Sequence, residues 1–166
     1  MGRLADLLPS TLKTGLLVSA VLLLPKAASP AELTAFISGA TPGDFWGTGF
    51  GGSLAITLFD LGGIEIEGAR QGGEVPESSI FSLSGRVFLA PPTGRLVPYG
   101  GLAFGGYRVT LGGNDDWGTL RGIFLGAKLK IGLGFQIRGE YEWVHVPDGA
   151  LLPMDGRYSL GATLRF

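Results

Sequence analysis

From Arg157 to Phe166 the side chains alternate without a break. Tyr158, Leu160, Ala162, Leu164 and Phe166 fall on one face, and Arg157, Ser159, Gly161, Thr163 and Arg165 on the other. A period of two belongs to a β-strand, whose successive side chains leave opposite sides of the pleat. The pattern recurs upstream in segments of ten or more residues, against the roughly 9–11 that a tilted strand needs to cross a bilayer. Repeated strands with one greasy face must hide that face. A barrel in lipid turns it outward, whereas a soluble barrel or sandwich turns it inward.

Alternation and turn signals predict eight up-and-down antiparallel strands near 32–40, 47–59, 63–72, 78–90, 95–110, 117–130, 133–145 and 156–166. Tight turns are expected at Phe59-Asp60-Leu61-Gly62, Pro91-Pro92-Thr93-Gly94 and Ile131-Gly132-Leu133-Gly134. They alternate with longer polar or irregular stretches at 41–46, 71–77, 111–116 and 146–155. Short turns at one end and longer loops at the other are the habit of outer-membrane barrels.

The amino end agrees with that location. Arg3 and Lys13 precede an apolar run from Leu16 to Leu24, followed by Pro25, Lys26 and the small residues Ala27, Ala28, Ser29 and Ala31. This three-part layout predicts a secretory signal peptide over residues 1–31, cleaved after Ala31, with the barrel domain over 32–166. The apolar run is about half the ~18 residues expected of a spanning helix. Cleavage would leave ten basic and thirteen acidic residues, a formal charge of about −3, which offers nothing to nucleic acid. With no cysteine there are no disulfides or thiolate metal sites. The 30 glycines lack a collagen period and are interleaved with Leu, Ile, Phe and Tyr. They read as sheet glycines, placed where a small barrel bends or a neighbouring ring needs room.

The strands divide into consistent faces. Ile64, Ile66, Phe81, Leu83, Val87, Leu89, Ile123, Leu125, Phe135, Ile137, Trp143, Leu160 and Leu164 share the apolar face. Glu65, Glu67, Arg86, Lys128, Arg138, Glu140, Glu142 and Arg157 share the polar one, with Arg165 a further candidate. Strand five is too glycine-rich to phase. Aromatic residues gather near strand ends, with Phe59, Tyr99, Phe135 and Phe166 at the turn side and Trp46, Tyr107, Trp117, Trp143 and Tyr158 at the loop side. Such girdles favour the membrane barrel.

These residues resemble the small eight-stranded outer-membrane β-barrels akin to the OmpA transmembrane domain and OmpX. The resemblance rests on Gly51-Gly52-Ser53-Leu54-Ala55-Ile56-Thr57-Leu58-Phe59-Asp60, Ile64-Glu65-Ile66-Glu67-Gly68, Pro98-Tyr99-Gly100-Gly101-Leu102-Ala103-Phe104-Gly105, Arg138-Gly139-Glu140-Tyr141 and the strand from Tyr158 to Phe166. It implies that the last strand is read by the barrel-assembly machinery, through Tyr158, Leu160, Leu164 and Phe166. No periplasmic domain is expected after the barrel, so the resemblance does not imply peptidoglycan anchoring.

An eight-stranded barrel is just wide enough for its inward side chains to fill it. Four acids and about five bases on the polar face are therefore expected to pair across the lumen, because an unpaired charge there is costly. Glu140 and Glu142 could form a carboxylate pair, but nothing else marks a substrate pocket. His145 is the single histidine; the lipid A deacylases among such barrels set a histidine beside a serine and an acid, and His145-Val146-Pro147-Asp148 lacks that serine. Gly47-Thr48-Gly49-Phe50-Gly51-Gly52 formally matches a dinucleotide fingerprint without the helix that would give it meaning. Gly112-Gly113-Asn114-Asp115-Asp116 lacks calcium-loop spacing and reads as a polar tip.

Arg70 and Arg121 fall on the apolar phase near the loop ends. There an outward arginine costs only ~0–1 kcal/mol and could meet lipopolysaccharide phosphates; a local bulge turning it inward is the alternative. No catalytic residue, metal or cofactor is expected. The expected partners are outer-membrane lipid, lipopolysaccharide and the assembly machinery. The expected role is structural or interaction-bearing, with a plugged lumen. Conduction through the lumen is the alternative, and lipid modification the third reading.

Overall fold

A computed structural model describes residues 30–41, 46–58, 61–73, 78–145 and 155–166. Eight strands form a closed barrel in sequence order, β1 Ala31–Thr41, β2 Trp46–Leu58, β3 Gly62–Gly73, β4 Ser79–Leu89, β5 Leu96–Leu111, β6 Asn114–Gly132, β7 Phe135–His145 and β8 Gly156–Arg165. Every strand pairs antiparallel with its sequence neighbours, and β8 closes onto β1. At that seam Ala31 and Phe166 exchange two backbone hydrogen bonds of 3.0 Å each. The residues up to 29, where a leader was expected, lie outside the described residues, and Ala31, after which cleavage was expected, is already the first residue of β1.

The structure alters one expected connection. The stretch 111–116 was read as a polar loop, yet β5 and β6 stay paired up to Leu111 and Asn114. Gly112 and Gly113 make the whole turn with φ of 56° and 84°, left-handed values that suit a two-residue hairpin and cost glycine nothing. The hairpin is consequently the longest in the barrel, with strands of 16 and 19 residues. At the opposite rim Leu133 and Gly134 make a comparable turn with φ of 50° and 82°.

The outer wall is apolar. Ile64, Ile66, Leu83, Val87, Ile123, Leu125 and Leu160 are among its exposed residues, and the inner wall carries every described glutamate. A barrel with this inversion is stable only where its outside meets hydrocarbon, so this is a transmembrane barrel. Strand five, unphased from sequence, turns Val97, Tyr99, Ala103, Tyr107 and Val109 inward.

Many glycines make room for rings. Phe36, Phe88, Tyr99, Tyr107, Phe124 and Tyr158 lie directly across from Gly51, Gly63, Gly126, Gly118, Gly101 and Gly39 on a neighbouring strand. A Cβ on Gly126, for example, would come within 2.6 Å of the Tyr99 ring. Each ring lies down over its glycine; for the five rings other than the outward Tyr158, this lets large aromatics fit within a small lumen.

Candidate functional site

Alternation sets Glu65, Glu67, Arg86, Lys128, Arg138, Glu140, Glu142 and Arg157 on one face, and closure turns that face into the lumen. Arg86 of β4 lies at the centre, fully buried. Its guanidinium donates to Glu67 at 2.6 Å and to Glu140, with Glu65 at 3.8 Å and Glu142 at 3.6 Å. Arg138 donates to Glu65 and Glu140 at 2.7 Å each, and through Nε to the Tyr99 hydroxyl at 2.6 Å. That hydroxyl donates in turn to Glu140 at 2.8 Å. Arg157 bridges Glu67 and, at 2.6 Å, Glu142. Three arginines thus knit four carboxylates from β3 and β7 into one network across the lumen.

Lys128 pairs instead with Glu32 of β1, nearer the turn side. Glu32 was absent from the expected set, although it shares its strand phase with Thr34 and Ser38 and is buried. With it the described lumen holds five acids, Glu32, Glu65, Glu67, Glu140 and Glu142, against Arg86, Lys128, Arg138 and Arg157. Arg165, the further candidate, lies toward the turn-side rim. It lines a pocket of about 290 Å³ at the turn-side mouth with Glu32, Lys128, Lys130 and Gln136.

Aromatic rings complete the packing, and the sequence reading had misplaced two of them. Tyr99 and Tyr107, expected in the interfacial girdles, are buried in the lumen. Each cation lies against a ring face: Arg86 over Phe124 at 3.8 Å, Arg138 over Tyr99 at 5.0 Å, Lys128 over Phe88 at 5.0 Å and Arg157 over Phe36 at 5.6 Å. Cations on desolvated rings gain from the ring quadrupole. Phe36, Phe88 and Phe124 were missed, yet the signal was available: a residue between two outward positions, as Phe124 is between Ile123 and Leu125, must point inward.

Above the charged layer, toward the loop side, Ala40, Ile80, Tyr107, Val109, Leu120 and Val144 form an apolar cluster. The space left between it and Glu67, Glu142 and Arg157 is about 30 Å³, on the order of one water. Charged and apolar layers together block the lumen between the turn-side mouth and the loop side.

The remaining residues singled out from sequence lie outside this plug. Tyr158, Leu160, Leu164 and Phe166 face outward on or beside β8. Phe135, Trp117 and Trp143 are exposed near strand ends, and Phe59 falls outside the described residues. Arg70 and Arg121 are both exposed on the outer wall, so no bulge turns them inward. Each stands in register between rings, Arg70 between Phe50 and Phe81, and Arg121 between Phe104 and His145. His145 is likewise on the outer wall, and β5, β6 and β7 carry no serine. Gly47 to Gly52 lie within β2. At the tip of the long hairpin Asp115 accepts hydrogen bonds from Arg108 and, at 2.7 Å, from Thr110; these hold its carboxyl below the usual value.

The chain matches no protein-family model and no curated protein. Solved structures do match. The N-terminal β-barrel domain of Pseudomonas aeruginosa OprF aligns with a TM-score of 0.62 and 17% identity, over 83% of this chain and 98% of that one. This is the fold of the small eight-stranded outer-membrane β-barrels. Neisserial surface protein A shares it (TM-score 0.60, 16% identity, 82% and 93% covered), as does Ail, the attachment invasion locus protein of Yersinia pestis (0.55, 16%, 83% and 99%). The outer membrane enzyme PagL has it too (0.50, 13%, 81% and 98%). The same barrel thus carries different activities, and only its own side chains can distinguish them.

Proposed function

We propose that this chain is an outer-membrane protein of structural or interaction-bearing role, its lumen sealed and its work done by its outer surface and loop end. The observation that carries this reading is Arg86, fully buried among four carboxylates drawn from β3 and β7. A conducting pore needs mobile charges bordering water, whereas these are locked to one another. In planar bilayers the refolded protein is expected to show no steady ionic conductance. A well-defined open channel in the unmutated protein would promote the transport reading instead. Lipid modification finds less support: His145 faces outward beside Arg121, with no serine on its own or the two preceding strands.

The location rests on the leader at residues 1–31, the apolar outer wall and the shared fold. Within that reading, Arg70 and Arg121 contact lipopolysaccharide phosphates near the outer interface, where a guanidinium fork can bind phosphate in two-pronged fashion. The outward row Tyr158, Leu160, Leu164 and Phe166 serves as the assembly signal. Phe166 is 70% exposed, so its side chain contributes little packing. Deleting it is expected to slow insertion in cells more than it lowers the stability of the purified barrel. Equal losses in a cellular assembly assay and in unfolding of the purified protein would count against the signal.

A further inference from the structure

On the outer wall of β5, β6 and β7, two in-register rows stand one above the other. Phe104, Arg121 and His145 form the row nearer the loops, and Leu102, Ile123 and Trp143 the row below. Between them runs a groove of about 360 Å³, floored by the backbone at Gly122 and Val144. It opens sideways, away from the lumen, onto the space that lipid tails occupy. Its walls are aliphatic and aromatic, and its loop-side end carries two nitrogen donors. Arg121 makes no ion pair among the described residues, and its in-register neighbours, Phe104 and His145, supply no carboxylate.

This arrangement is complementary to an amphiphile. Hydrocarbon fills the apolar walls, while a phosphate satisfies a guanidinium that otherwise sits unpaired at the edge of the bilayer. We infer that the groove holds one phosphorylated lipid of the surrounding leaflet, its phosphate on Arg121 and His145 and an acyl chain over Ile123 between Phe104 and Trp143. The inference rests on the membrane reading above and deepens it, from a general cationic belt to one site with a defined chain slot.

Native mass spectrometry of the folded barrel released from micelles tests it, with phosphatidic acid, the matching diacylglycerol and inorganic phosphate as probes. One phosphatidic acid should stay bound, the diacylglycerol should not, and inorganic phosphate at equal concentration should not compete. R121Q removes the head contact, and I123W fills the slot while leaving the charge. Each should lower the retained fraction about tenfold, a factor equivalent to 1.4 kcal/mol. R95Q, in the exposed β4–β5 turn at the opposite rim, should leave retention unchanged. Ile123 and Arg121 both face outward, so folding of the variants can be checked by heat-dependent gel mobility. Equal losses from R95Q and R121Q with none from I123W would overturn the site, since diffuse charge would then account for binding. Retention of diacylglycerol as strongly as phosphatidic acid would also overturn it. Failure of the protein to insert into bilayers at all is a separate result, and would remove the membrane reading beneath it.

Discussion

Replacing Arg86 with methionine is expected to destabilise the folded barrel by about 3–5 kcal/mol, the cost of breaking a buried ion pair from one side. The substitution keeps much of the side-chain length but strips the charge that Glu67, Glu140, Glu65 and Glu142 share, at 2.6 to 3.8 Å where the longer contacts are concerned. Arg138 and Arg157 then face four carboxylates alone, and a surplus carboxylate must take up a proton or draw in water. Urea unfolding in lipid vesicles measures the loss. Adding Glu140→Gln to Arg86→Met should recover part of it, because the second change removes one of the orphaned charges. Strictly additive losses would mean that the groups do not act as one network, and would weaken the sealed-lumen reading.

Leu125→Arg is expected to cost about 2–4 kcal/mol, the penalty for an outward arginine at mid-bilayer. Leu125 is 57% exposed on the outer wall and lies midway along β6 between Trp117 and Ile131, with Gly100 and Tyr141 as in-register neighbours. Nothing there supplies a counter-charge. Leu133 serves as the control: it is 99% exposed, but it sits in the β6–β7 turn, where an arginine reaches water. Leu133→Arg should therefore be close to neutral in the same reversible folding assay. If both substitutions were neutral, the outer wall would not be in contact with hydrocarbon, and the inside and outside of the barrel would have to be exchanged.

What was legible in the sequence is what depends on near neighbours along the chain. The period of two sorted Glu65, Glu67, Arg86, Lys128, Arg138, Glu140, Glu142 and Arg157 from Ile64, Ile66, Val87, Leu125 and Leu160, because a strand side chain can leave only one of two faces. Glycine-bearing turns marked most of the reversals. The reading failed where one local pattern served two structures: Gly112-Gly113 inside a polar stretch resembles a loop tip, but the pairing of Thr110 with Asp115 and Leu111 with Asn114 extends the hairpin to the glycines themselves.

Closure of the sheet decided the rest. Arg86 and Glu140 are 54 residues apart, and Lys128 and Glu32 are 96 apart; no spacing rule links them, and only an eight-strand circumference sets them face to face. Tyr99 and Tyr107 sit near strand ends, as girdle residues do, yet their phase on a glycine-rich strand was unreadable until its register with β4 and β6 was known. That register lays Tyr99 over Gly126 and turns its hydroxyl to Glu140 and Arg138. The chain by itself thus sorted the residues of the clearly alternating strands into two faces. The closed barrel alone chose their partners, because contacts across a lumen depend on curvature and register, which are properties of the whole sheet.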